Sequence, residues 1–160
     1  MNVLFLCTGN SCRSILGEAI FNHLAPADWH AMSAGSRPTG QVHPYSLKVL
    51  QSKGLSTEGL FSKSWDDLPV VPDIVITVCS SAAHETCPLY LGQAIRTHWG
   101  LDDPAGATGS EEEVLKVFEQ TFEILSKGIN AFFQLPLSEI QHQPELLKQN
   151  LDFIGQHYFN

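Results

Sequence analysis

Apolar positions along this chain fall alternately into short unbroken runs and into stripes of helical period. Residues 2–6 carry the run Val3-Leu4-Phe5-Leu6, which predicts a buried strand. Over residues 14–25 the pattern becomes helical: Leu16, Ile20 and Leu24 recur every fourth position, with Ile15, Ala19 and His23 beside them, and Pro26 ends the stretch. Residues 30–34 predict a second strand closed by Gly35. His43-Pro44 opens a second helix carrying Leu47, Val49 and Leu50, and Gly54 ends it. Residues 73–78 form the clearest central strand, with Cys79 at its C-terminal end as Cys7 is at the end of the first. A fourth strand is predicted over 94–99, running into Gly100-Leu101-Asp102-Asp103-Pro104.

Ser110 followed three residues later by Glu113 is a capping-box signature. It predicts a long helix with Phe118, Phe122, Leu125, Ile129 and Phe132 on one face. Residues 143–157 predict a terminal helix with Leu147, Leu151 and Ile154 on its apolar side. Strands alternating with helices imply parallel crossovers and a three-layer α/β domain spanning residues 1–160, without repeats or linkers. In such sheets a ligand lies beyond the strand C-termini at a switch point, so one cleft could collect Cys7, Cys79 and Asp103.

The chain has 160 residues, 43% hydrophobic and 16% charged, which suits one globular core. Its formal net charge of -8 argues against nucleic acid or an anionic membrane as partner, and requires any anion site to be built locally. The longest apolar runs are too short to span a bilayer, and no basic residues precede the first of them as in a secretory signal. A cytoplasmic protein is therefore expected, its four cysteines reduced at rest and any disulfide transient and catalytic.

The segment Cys7-Thr8-Gly9-Asn10-Ser11-Cys12-Arg13-Ser14 lies between the first strand and the first helix. A tight polar loop opening a helix turns its N–H groups toward an anion, and the helix dipole adds positive potential. Residues 8–14 are thus the expected oxyanion cradle. Cys7 is the expected nucleophile, its pKa lowered by that field. Arg13 is the expected planar clamp on two oxygens. Ser14 could donate to the Cys7 thiolate and Asn10 could brace the loop. Cys12 could pack, or bridge to Cys7 at the cost of strain. Asp103, on a loop stiffened by Pro104, is suited to protonate a departing oxygen, with Asp102 a competitor. Cys79 and Cys87 could carry a disulfide away from Cys7 by thiolate exchange. A zinc set of Cys79, His84, Cys87 and His98 has no recognised spacing, so no metal is expected. His43 and His98 read as packing or capping residues, and Trp65 and Trp99 as core.

With these motifs together, the chain resembles arsenate reductases of the low-molecular-weight protein tyrosine phosphatase superfamily. The resemblance spans nearly the whole chain: Cys7 to Ser14, Ser33-Ala34-Gly35-Ser36, His43-Pro44, Ser62-Lys63-Ser64-Trp65-Asp66, Thr77-Val78-Cys79, Glu85-Thr86-Cys87-Pro88, His98-Trp99-Gly100 and Asp103-Pro104-Ala105. It implies a flavodoxin-like sheet of four parallel strands with helices on both faces. It also implies a Cys7–arsenic intermediate, an Arg13 clamp and an Asp103 acid. Cys79 would then attack Cys7, and Cys87 would resolve that bond. No bound cofactor is implied. The expected partners are an arsenate or phosphate oxyanion and an external thiol reductant, either thioredoxin or glutathione with glutaredoxin. The rival expectations are a phosphotyrosine phosphatase, against which Ala105-Gly106 stands where phosphatases place an aromatic residue, and a non-catalytic oxyanion or redox module, which would need no Asp103.

Overall fold

The computed structural model describes residues 1–80, 82 and 92–159. Four strands, β1 (Asn2–Cys7), β2 (His30–Gly35), β3 (Ile74–Thr77) and β4 (Ile95–His98), form one parallel sheet in the order β2-β1-β3-β4. Val3, Leu4, Phe5 and Leu6 are all fully buried, as is every residue of β3. Consecutive side chains point to opposite faces of a strand, so burial of both parities means both faces of the central strands are covered. The architecture is the expected three-layer, flavodoxin-like α/β fold.

The helices are α1 (Arg13–Leu24), α2 (Pro44–Ser52), α3 (Glu111–Phe133), the one-turn α4 (Leu137–Ile140) and α5 (Pro144–Tyr158). The capping box of α3 is present in full: Glu113 N–H donates to Ser110 Oγ at 3.2 Å, and Ser110 N–H donates to the Glu113 carboxylate at 3.3 Å. Phe118, Phe122, Leu125, Ile129 and Phe132 are buried along its inner face. Each such side chain contributes roughly 1.5–3 kcal/mol relative to exposure. On α5, Leu147, Leu151 and Ile154 are buried as expected.

The stripe expected on α1 is incomplete. Leu24 is exposed, whereas Gly17 and Phe21 are buried. Because α1 packs against β1, β2 and α3 together, it buries more than one stripe. A Cβ at Gly17 would come within 2.7 Å of the Phe5 ring, so the glycine lets the helix lie directly on the sheet. The short 3₁₀ turns at Trp65–Asp67 and Pro104–Gly106, and the α4 turn, have no periodic signal in the sequence. Trp99, fully buried, packs between Phe5 and Phe159 and donates its indole N–H to Leu151 O at 3.0 Å. Among the described residues no helix is long and apolar enough to cross a membrane.

Candidate active site

The strand order brings the loops after β1 and β3 side by side. Leu6 pairs with Thr77, and Val78 N–H donates to Leu6 O at 3.0 Å, so Cys7 and Cys79 leave adjacent strands at the same end of the sheet. Both open onto a cleft of about 670 Å³, which is also lined by the loop from Thr8 to Arg13, by Thr39 and His43, and by Asp102, Asp103 and Ala105. Of the expected site residues, Cys7, Cys79, Arg13 and Asp103 therefore meet. Cys87 and His84 lie outside the described residues.

The orientation of the loop follows from where its carbonyls go. Thr8 O accepts from Arg37 N–H at 3.0 Å, and Gly9 O accepts from Thr39 N–H at 3.0 Å and from Ser62 Oγ at 3.3 Å. Ser11 O accepts from His43 N–H and Ser46 Oγ, both at 3.1 Å, and Cys12 O accepts from Leu16 N–H within α1. In a trans peptide the following N–H points opposite to the C=O. Turning these carbonyls into the protein therefore turns the amides of Gly9, Asn10, Cys12 and Arg13 the other way, and Gly9 N–H bonds the Cys7 sulfur. Such convergent amides form a nest for an anion.

Asn10 makes the turn possible. Its φ of +47° is left-handed, a conformation Asn tolerates better than most residues. The buried side chain donates Nδ2–H to Ser14 Oγ at 2.9 Å and accepts Lys63 N–H on Oδ1 at 2.8 Å. Ser14 is thus tied to Asn10. Cys12 is buried and bonded to the Ser46 and Ser11 side chains, with burial the larger influence, raising its pKa. That is the packing role considered for it from sequence.

Arg13 donates Nη1–H to Leu101 O at 3.1 Å, and its Nη2 lies 3.6 Å from Asp103 Oδ2. Its buried Nε has no partner among the described residues, which leaves a donor for a ligand oxygen. Asp103 is 53% exposed and also accepts Ala105 N–H at 3.0 Å, which fixes its carboxylate at the cleft rim. Asp102 shares the cleft wall, but the ion pair with Arg13 belongs to Asp103.

The two thiols behave differently from the local expectation. Cys79 faces Cys7 across the cleft, lies 3.6 Å from Thr8 Oγ1 and accepts Ala82 N–H at 3.4 Å. The Cys7 thiol first, then Thr8 and the Ala82 amide, overcome burial and lower its pKa to about 5. Cys7 is pushed well above the usual thiol range, first by Cys79 and then by burial, against the pull of Arg13 and Gly9 N–H. In the ligand-free protein the two sulfurs thus titrate as a coupled pair that shares one proton. The Cys7 pKa is raised, where the loop alone leads one to expect a lowered one, because Cys79 and burial outweigh the loop's own field. Among the described residues no cluster of His, Cys, Asp and Glu is arranged to hold a metal.

Sequence reasoning did not single out Gly35, Thr39 or Ser62 as supports of the loop. A Cβ at Gly35 would collide with the Thr8 carbonyl and lie 3.1 Å from Asn10 N. These positions carry no local chemical signal. Only the quoted family motifs that contain Gly35 and Ser62 hinted at them.

Known proteins are similar to this chain in sequence and fold. The arsenate reductase of Shouchella clausii is 37% identical over 131 residues, 81% of this chain and 93% of its own. The low-molecular-weight protein tyrosine phosphatase of T. tengcongensis superposes with a TM-score of 0.67 at 28% identity, covering 84% of this chain and 98% of that one. An arsenate reductase in the phosphate-binding state superposes with a TM-score of 0.63 at 27% identity over 81% of this chain and 96% of its own. A thioredoxin-dependent arsenate reductase of Corynebacterium glutamicum gives 0.56 at 29% identity, over 81% of this chain and 61% of that one. The family model for the low molecular weight phosphotyrosine protein phosphatase matches residues 2–146. With its anion loop, its sheet order and these relatives in agreement, the chain belongs to the low-molecular-weight phosphotyrosine protein phosphatase family.

Proposed function

We propose that this protein is a thiol-dependent arsenate reductase, and that Cys7, Cys79 and Cys87 carry its electrons. The observation that carries the proposal is a second sulfur, Cys79, lining the same cleft as Cys7 at the mouth of an amide cradle. A phosphatase needs one such sulfur, whereas a reductase must pass two electrons out through a second. Relatives named arsenate reductase support the same activity.

Arsenate binds to the loop amides and to Arg13, which stabilise its developing charge. Cys7 sulfur attacks arsenic while its proton passes to Cys79, an As–O bond breaks, and the departing oxygen leaves as water with the proton of Asp103. Cys79 then passes its proton to an arsenic-bound oxygen and attacks Cys7 sulfur. The S–As bond breaks with its electron pair remaining on arsenic, which leaves as arsenite, and a Cys7–Cys79 disulfide forms. Cys87 thiolate attacks Cys79, frees Cys7 and leaves a Cys79–Cys87 disulfide. An external dithiol reduces that bond. The reductant is thioredoxin or glutathione with glutaredoxin, and the thioredoxin-dependent neighbour supports a thiol donor. Ala105 at the cleft wall offers a methyl group where a ring would grip an aryl phosphate, so phosphatase turnover is a slow side reaction.

The test is arsenate reduction with each reductant, beside aryl phosphate hydrolysis. Cys7→Ser should abolish both. Cys79→Ser should stop arsenate turnover while sparing aryl phosphate hydrolysis. A Cys79→Ser variant that reduces arsenate at the wild-type rate would sink the relay.

A further inference from the structure

Behind the loop lies a charge that the chemistry above does not use. Lys63 is a buried charged residue, 8% exposed, and its ammonium meets Glu18 and Phe61, neither of which lines the cleft. Burying an ammonium is costly, and a Met, one atom shorter, would fill most of the space without that cost. The lysine therefore does something an apolar residue would not.

Its Nζ lies 3.7 Å from Glu18 Oε1, donates to Phe61 O at 3.2 Å and sits 4.3 Å from the centre of the Phe61 ring. The Glu18 carboxylate, also largely buried, accepts Ser33 Oγ–H at 2.6 Å. Glu18 stands one turn beyond Ser14 on α1, and Ser33 is on β2. The ion pair thus ties segment 61–64 to α1, the helix that the cradle opens, and through Ser33 to β2. The same segment grips the loop directly: Ser62 Oγ holds Gly9 O, and Lys63 N–H holds Asn10 Oδ1. Through Asn10 and Ser14 the connection closes into a ring that returns to α1.

We propose that Lys63 is a positioning residue of the oxyanion cradle: its buried pair with Glu18 draws segment 61–64 against the loop and so sets the direction of the Asn10 amide. The proposal rests on the oxyanion site assigned above and adds a charge-based support to it. A neutral pair in its place would pack, but nothing would fix its register against the loop.

The experiment titrates inorganic phosphate calorimetrically into the wild type, Lys63→Met, Glu18→Gln/Lys63→Met and Lys63→Arg, each well below its thermal midpoint, with the midpoints measured in parallel. Lys63→Met should bind phosphate about tenfold more weakly and melt lower, because Glu18 is left buried and unpaired. The double variant should regain the melting temperature while keeping the weakened binding, and Lys63→Arg should restore binding. A double variant that recovers both would show a purely structural pair and overturn the proposal, as would wild-type affinity in Lys63→Met. Should Lys63→Met fail to fold, the double variant alone decides by the same affinity. A wild type that binds phosphate but turns over no arsenate would sink the proposed activity while leaving the Lys63 comparison intact. A wild type blind to phosphate would overturn both.

Discussion

The shared proton of Cys7 and Cys79 makes a measurable contribution to stability. A thiol whose folded pKa is depressed stabilises the fold above its unfolded value, and that contribution is lost as pH falls toward the folded value. For Cys79 the window runs from 9.0 down to about 5. Cys7 is shifted upward, so its contribution is intact below 9.0 and declines only as pH rises past that point. Between these limits the folded pair binds one proton and the unfolded chain binds two. Stability attributable to the pair then rises with pH at about 1 kcal/mol per unit, or on the order of 2–3 kcal/mol between pH 6 and 8. Urea unfolding of wild type and Cys7→Ala/Cys79→Ala, with thiols kept reduced, measures it at pH 6, 7 and 8. Removing both sulfurs leaves the groups outside the pair to cancel in the difference between the two proteins. That difference should widen toward alkaline pH by roughly 2–3 kcal/mol. A flat difference would mean that both sulfurs keep their protons in the folded state, and the sharing inferred from their coupling would be refuted.

Three other substitutions probe the loop and the acid. Asn10→Ala strands the Lys63 amide and Ser14 Oγ at roughly 1–3 kcal/mol each and places a Cβ-bearing residue in left-handed backbone. Urea unfolding should therefore show a loss of about 3–6 kcal/mol, with Asn10→Gly less affected by about 1 kcal/mol. Gly35→Ala drives a methyl into the Thr8 carbonyl. It should cost about 1–3 kcal/mol in stability and weaken phosphate binding in a calorimetric titration. Asp103→Asn keeps the shape and the Ala105 contact but lacks the proton, so steady-state arsenate kinetics should show kcat down about 10²–10⁴-fold with KM little changed.

The strands were legible because each is an apolar run bounded by turn residues, and their observed ends differ from the expected ones by about a residue at most. Cys7, Arg13 and Asp103 were legible because their chemistry is local: a loop opening a helix, and an Asp before Pro. The supports were not. Thr39, Ser62 and Lys63 hold Gly9 and Asn10 from about 30 to 53 positions away, and a hydroxyl or amide facing inward leaves no periodic trace. The coupling between the two cysteines leaves no sequence signal for the same reason. The local field around Cys7 can be read from its own loop, but the donors on Cys79 come from Thr8 and Ala82, in two different segments. Leu24 faces outward although the stripe predicts it inward, because a single stripe cannot encode a helix that the fold packs on several sides.

A two-sulfur relay needs the sulfurs within bonding reach although 72 positions separate them in the chain, and the sheet order supplies that reach. With β2 outside β1, the connection through α1 leaves on one side of β1 and β3 docks on its other side, so the loops after β1 and β3 face each other across a switch point. Register sets the rest. Leu6 is level with Thr77, which puts Cys7 level with Val78 and leaves Cys79 one residue further on, where the chain has left β3. The Val78 amide on Leu6 O, one residue past the last paired position, holds that register up to the cysteines themselves. Proton sharing at rest and disulfide formation during turnover make the same geometric demand, two sulfurs close together at neighbouring strand ends. The shared cleft of Cys7 and Cys79 in the ligand-free protein therefore brings together the atoms that the proposed redox step would join.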